Sequence, residues 1–180
     1  MTAWRTLGHR GDALELLLET THEFYKRQGL GLVDKIHTPI KVTEIDKGII
    51  TKAFFDKKST VDFMGLIQGI GVAFDAKETQ NKSIPLKNIH DHQIEFMKAF
   101  EEQKGLAFLI VHYKKVDSFY LIPIHIILDI ITNGKKSISY TVLPEEFKIQ
   151  YKNNGLLDYL PTLNTYLDWK RDQQKRKCTG

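Results

Sequence analysis

The chain has 180 residues, 42% of them hydrophobic and 27% charged, with a formal net charge of +4 and one cysteine, Cys178. That balance suits one folded domain with a real core and excludes global disorder. The lone cysteine excludes an internal disulfide framework and a cysteine-type zinc site, and the mild basic excess is compatible with an anionic partner without requiring one.

The first predicted element is a helix in "GDALELLLETTHEFYKRQG". Leu14, Leu17, Leu18, Thr21, Phe24, Tyr25 and Gln28 follow the i, i+3, i+4 stripe. Glu15, Glu19 and His22 line a neighbouring polar edge, and Gly29 and Gly31 end the helix. Strand composition follows from Gly31 to Phe55, broken at Pro39 and turned at "DKG", residues 46–48. Next comes "STVDFMGLIQGIGVAFDAKETQ", read as two apolar strands joined by a glycine turn. A second helix is predicted from about Leu86 to Lys104, with Ile89, Phe96, Met97 and Phe100 on its apolar face. "LAFLIVHY" has the near-continuous apolar character of a buried strand. "SFYLIPIHIILDII" reads as a strand followed by a short helix. The chain closes in a leucine- and tyrosine-bearing helix with a basic tail. The most apolar run, Tyr120 to Ile131, is interrupted by Pro123, His125 and Asp129 and is too short to span a bilayer. The opening "MTAWRTLGHRGD" lacks the apolar stretch of a secretory signal. The expected protein is cytoplasmic, with no membrane contact. Its expected class is α/β, with a central sheet and a helix on each side.

The glycine-turned pair of strands carries the chemistry. Side chains alternate along a strand, so Val72, Phe74 and Ala76 share an inward face and Asp75 and Lys77 the opposite one. Thr60 and Asp62 share a face on the preceding strand. Pairing of the two strands brings Asp62 near Asp75. Two close carboxylates repel unless a positive charge lies between them. A hard divalent cation, magnesium or manganese, answers that need. Lys77 beside it can hold a nucleophilic water or charge developing on a phosphate. The plainer reading is a surface strand with an ordinary acid–lysine pair. Gln93 falls on the buried face of the second helix, where an amide needs a partner. That partner is either local backbone or the same acidic cleft.

The residues also resemble a known family: the RecU Holliday-junction resolvases, also called penicillin-binding protein-related factor A, with a restriction-endonuclease-like nuclease fold. The likeness runs through "GDALE", "IHTPIKV", "ITKAFFDKKSTVDF", "VAFDAKETQNKSIPLKNIHDHQIEFM" and, more weakly, "KSISY" and "LLDYL". It implies one nuclease domain over residues 1–180. The core would span about 8–145 and a C-terminal helical extension about 146–180: a restriction-endonuclease-like core with a central mixed β-sheet flanked by helices. It implies Asp62 and Asp75 as metal-binding acids, Lys77 as the group stabilising the transition state, Thr60 and Gln93 as contacts to a Mg2+ site, and Glu15 as an acid on the first helix. It further implies a homodimer that nicks four-way DNA junctions symmetrically, leaving 5′-phosphate ends, alongside a recombinase or branch-migration helicase. Two departures stand out. The family usually has glutamate where this chain has Asp75. The segment between Pro39 and Asp62 also leaves little room for the family's projecting stalk. The alternatives are a non-catalytic factor that grips branched DNA, and a restriction-like nuclease for ordinary duplex.

If DNA binds, Arg5, Arg10, Lys82 and Lys87 are expected at its phosphates, with Lys170, Arg171, Lys175, Arg176 and Lys177 of the tail. A solvated basic terminus or loop is the plain alternative for each group. His90 and His92, two apart on a helix, are expected to diverge and to serve as surface or capping residues. Gly65, Gly69 and Gly71 are turn glycines, not a dinucleotide fingerprint. Tyr151, Tyr159 and Tyr166 are expected in the core or at a dimer contact.

Overall fold

A computed structural model describes residues 12–56, 60–151 and 155–178. The strand and helix patterns resolve into α1 (Asp12–Arg27), β1 (Gly31–Lys35), β2 (Ile40–Asp46), β3 (Ile49–Phe55), β4 (Phe63–Ile67), β5 (Ile70–Thr79), β6 (Ser83–Pro85), α2 (Asp91–Glu102), β7 (Leu106–Tyr113), β8 (Ser118–Pro123), α3 (Ile124–Thr132), β9 (Ser137–Ser139), β10 (Lys148–Ile149) and α4 (Leu160–Cys178). Six strands form the central sheet in the order β1-β4-β5-β7-β8-β10. The β5–β7 pair is parallel and the other pairs are antiparallel. The expected mixed sheet flanked by helices is therefore present.

A parallel pair needs a long crossover. Here the crossover from β5 to β7 contains β6 and α2, so α2 is laid across one face of the sheet. Met97 of α2 and Ile124 and Ile127 of α3 pack there against Ala73, Ala107, Leu109 and Ile122. The other face is covered by α1 and α4, with Leu14, Leu18, Tyr25, Leu163 and Tyr166 against Val72, Phe108 and Leu121. The C-terminal segment packs into this same core, through β10, Leu157 and Tyr159. Tyr159 and Tyr166 are core residues, whereas Tyr151 is exposed.

One row of aromatics fixes the register near the acids. Phe63 pairs with Phe74, and Phe74 with Phe108. Their rings stack across three strands at 5.1 and 4.7 Å between centroids. Burying such side chains contributes roughly 1.5–3 kcal/mol each. A slip of one residue would turn them all to the other face, so the register is strongly specified. His22 corrects the expected polar edge of α1. It is buried, its Nε2 lies 3.0 Å from the Tyr159 hydroxyl, and its ring meets Phe63 and Phe74 edge-on. Burial pushes its pKa down to about 4. The buried stripe of α1 is rotated toward it, leaving Phe24 and Gln28 exposed.

The predicted second helix is also revised. Leu86–Asn88 form one 3-10 turn, the backbone at Ile89 and His90 is extended, and α2 begins only at Asp91. His90 is its N-cap, as the capping reading expected. Its ring does not diverge from that of His92; the two stack 5.4 Å apart, because His90 lies outside the helix and its backbone is extended.

The segment expected to leave little room for a projection forms a hairpin. β2 and β3 form a two-stranded ribbon of their own, and all 14 of their residues are exposed. Ile45 pairs with Ile50 and Asp46 with Ile49, leaving only Lys47 and Gly48 to turn, both at positive φ. Such a tight turn suits the strand twist and spends few residues. Each seven-residue arm therefore extends about 23 Å at ~3.3 Å per residue. Among the described residues, no helix is long and apolar enough to cross a membrane.

Candidate active site

Asp75 lies on β5, on the face shared with Ala73 rather than on that of Phe74. The crossover buries this face under α2, so Asp75 has no exposed surface at all. Asp75 thus lies opposite Phe74, as the alternation along β5 predicts, and that face is covered as well. A carboxylate in that position needs partners. Gln93 of α2 supplies one, its Nε2 donating to Asp75 Oδ1 over 3.0 Å. The Gln93 Oε1 accepts the backbone N–H of His90 at 3.1 Å, so the start of α2 holds the amide in place. The Lys77 ammonium forms an ion pair with Asp75 Oδ2. That contact lacks hydrogen-bond geometry, and among the described residues Asp75 Oδ2 has no hydrogen-bond partner.

Asp62 stands just before β4, at a bend, rather than within a strand. The Phe63–Phe74 pairing makes Asp62 and Asp75 the next facing positions. There the ladder gives way to an exchange through side chains. The Asp62 N–H donates to Asp75 Oδ1 at 3.1 Å, and the Ala76 N–H donates to Asp62 Oδ2 at 2.9 Å. The carbonyl of Asp62 accepts the Ile36 N–H at 2.7 Å, which ties the acid to the end of β1. Four sequence-predicted residues, Asp62, Asp75, Lys77 and Gln93, therefore meet.

The remaining candidates lie elsewhere. Thr60 is exposed, two residues before Asp62. Glu15 pairs with Lys35 at 2.7 Å instead of with the aspartates. Lys82 and Lys87 are exposed beyond the end of β5. Arg5 and Arg10 lie outside the described residues. Lys170 does not project from the tail; it bonds the Gly105 carbonyl at 2.6 Å and lies 3.4 Å from Glu101. Sequence reasoning passed over Lys35. It stands alone in a strand ahead of Pro39, with no local partner in its spacing to mark it.

Burial, then the adjacent Asp75 carboxylate, pushes the pKa of Asp62 up from 3.8 to about 7. Between about pH 4 and 7 the folded chain thus keeps a proton that the unfolded chain has released. This contribution to stability is full below pH 4 and is lost as pH rises through 7. His22 and His125 work in the opposite sense, since burial pushes both down to about 4. The measurement is therefore a difference. In chelator, Asp62→Asn should gain stability relative to the parent chain as pH rises from 4 to 7, by urea unfolding. A difference that does not change with pH would assign the proton elsewhere.

A carboxyl that binds a proton so far above its usual range is a place where a cation can compete. Among the described residues no three His, Cys, Asp or Glu side chains converge on one point. The donor set is two carboxylates, with one Asp75 oxygen poorly satisfied. Magnesium binds commonly through one or two carboxylates while keeping several waters. The residues present fit a hard divalent ion of that kind.

The sequence family described as Recombination protein U matches residues 9–165. A protein named Holliday junction resolvase RecU from Staphylococcus aureus (strain JH9) is 35% identical over 168 residues, covering 87% of this chain and 81% of the relative. The protein of the same name from Staphylococcus aureus (strain COL) aligns with the same figures. Among solved structures, Archaeoglobus fulgidus Hjc, described as a Holliday junction resolvase, is a distant likeness. Its TM-score is 0.44 at 11% identity, over 75% of this chain and 90% of that one.

Proposed function

The chain belongs to the Recombination protein U family, and on that premise we propose that it is a divalent-metal-dependent endonuclease that resolves four-way DNA junctions. The observation that carries this reading is the fully buried Asp75, joined to Asp62, Lys77 and Gln93 at the point where the β4–β5 ladder opens. Relatives named Holliday junction resolvases support the substrate class. The fold reading is a restriction-endonuclease-like core, supported by the mixed sheet with its acids on adjacent strands.

In this reading Asp62 and Asp75 hold Mg2+, with Mn2+ as a substitute, and Thr60 contributes from the mouth. The ion would polarise the scissile phosphate and lower the pKa of bound water. The chain's own groups do the positioning. Gln93 fixes the rotamer of Asp75 from α2, and the Ala76 N–H fixes Asp62. Lys77, paired with Asp75 but partly exposed, presents positive charge where negative charge grows on the phosphate. Glu15 would act from α1 at the edge of the cleft. Lys82, Lys87, Arg5 and Arg10 would meet the backbone of the DNA arms. The β2–β3 ribbon is long enough to enter the open centre of a junction.

Two symmetric nicks leaving 5′-phosphate ends require two such sites, hence a homodimer. The protein would work in the cytoplasm beside a recombinase or branch-migration helicase. Light scattering at micromolar concentration should give a mass near twice that of one chain; a single-chain mass there would count against paired nicking. The central experiment incubates the protein with labelled four-way junctions, linear duplex and single strands. It is run with magnesium, manganese, calcium or chelator. Paired junction cuts in magnesium are expected. No cutting of any DNA in any metal would overturn the nuclease reading, and equal cutting of plain duplex would overturn the junction preference.

A further inference from the structure

We propose that Lys35 is a positioning residue for this site: paired with Glu15 and Glu19, it offsets half of their negative charge at an edge of α1 along which the DNA backbone would run. The inference rests on the nuclease reading above, which supplies the DNA.

The Lys35 ammonium lies 2.7 Å from Glu15 and 2.9 Å from Glu19. Those two carboxylates are one turn apart on α1, so they share a face and repel each other. Hydrogen bonds to Glu15 and then Glu19 raise the pKa of Lys35 above its ordinary value, so it stays charged at any working pH. The position of the cluster is fixed by backbone. Lys35 is the last residue of β1, paired with Phe63. The next residue, Ile36, donates its N–H to the carbonyl of Asp62. The cluster is therefore tied through backbone to Asp62, and it lies on the α1 face of the sheet, while Asp75 is enclosed on the α2 face. Lys35 and Glu19 also line an open cavity of about 440 Å³ with His22, Glu23, Val33, Asp34 and His37. All three charged groups are partly exposed, so a nearby phosphate would feel them.

The charge arithmetic yields a test. Glu15, Glu19 and Lys35 together carry −1. Lys35→Met leaves −2. Lys35→Met with Glu19→Gln returns to −1, and Glu19→Gln alone gives 0. Fluorescence anisotropy of a labelled four-way junction in chelator reads binding without turnover. At about 20 mM salt, Lys35→Met should weaken binding roughly three- to tenfold. The double variant and Lys35→Arg should bind like the parent, and Glu19→Gln should bind more tightly. At about 0.5 M salt, where the Debye length is ~4 Å, the differences should fall within twofold. A purely structural lysine would not be rescued by removing a carboxylate, so persistent weakness in the double variant would overturn the proposal. Parent-like binding by Lys35→Met would do the same. If Lys35→Met fails to fold, Glu19→Gln decides: unchanged or weaker binding overturns the proposal. A parent chain that binds duplex but not junctions would sink the junction reading instead, and the same comparison would then be made on duplex.

Discussion

Asp75→Asn should abolish junction cleavage, by about a thousandfold or more, while leaving the fold intact. Losing one group that stabilises transition-state charge commonly costs 100- to 1000-fold, and without Asp75 the ion proposed to supply that stabilisation would be lost. The amide is nearly isosteric with the carboxylate. Its oxygen can still accept from Gln93 and from the Asp62 N–H, so the bonds around it survive. What disappears is the negative charge that attracts the cation and pairs with Lys77. Removing that charge also removes a cause of the raised pKa of Asp62, which should titrate lower in the variant. Single-turnover cleavage, metal-free junction binding and thermal melting together make the check. Retained binding with lost cutting assigns catalysis to this residue. Cutting within tenfold of the parent would remove Asp75 from the site and favour a different centre. Asp75→Glu, the residue the family resemblance leads one to expect, puts an extra methylene into a fully enclosed position. Overpacking of this kind typically costs 1–3 kcal/mol, so that variant should lose stability even where it keeps cutting.

Gly65→Ala should be the most damaging single-methyl change in the sheet. A Cβ at Gly65 would lie far inside contact distance of the Leu32 carbonyl oxygen and 2.6 Å from the Cα of Val33. Both are backbone atoms of β1, which pairs Val33 directly with Gly65; Gly65 lies inside β4 and Gly71 inside β5, so of the three expected turn glycines only Gly69 turns. No rotamer can yield, so β1 must move away from β4. A cost of about 3 kcal/mol or more is expected, with a melting temperature lower by roughly 10 °C. Gly105→Ala is the informative comparison. Its Cβ would run into the ring of Phe100, a side chain that can shift. Gly65→Ala should therefore be the worse of the two by denaturant unfolding. The reverse order would mean that the β1–β4 pairing is softer than its geometry implies. Because Ile36 and Lys35 follow β1 directly, displacing that strand should also impair cleavage in any protein that still folds.

The two effects divide between what is local and what is not. Hydrophobic periodicity marks α1, the buried β7 and the β8–α3 step, because burial on one face is written in neighbouring residues. Alternation along β5 places Asp75 and Lys77 together, and the polar Gln93 among apolar helix positions announces a need for a partner. Those inferences depend only on spacing. They name Asp62, Asp75, Lys77 and Gln93, the four that meet. Spacing fails where a residue's surroundings come from a distant segment. His22 reads as polar edge, yet Tyr159, 137 positions away, makes it core. The ribbon of β2 and β3 looks too short until its two-residue turn is seen to free nearly every residue for the strands. Lys35 has no local signal, since its partners lie on α1.

Spacing alone thus marks the class of fold and sets Asp75 beside Lys77, because each rests on a period of two or of 3.6 residues. How those groups are held depends on contacts between distant segments. The β5–β7 crossover buries Asp75 under α2 and turns a surface-strand pattern into an enclosed one. The aromatic row sets the register that brings Asp62 opposite it. Burial and proximity then raise the pKa of Asp62, and these depend on how segments distant in the chain are brought together.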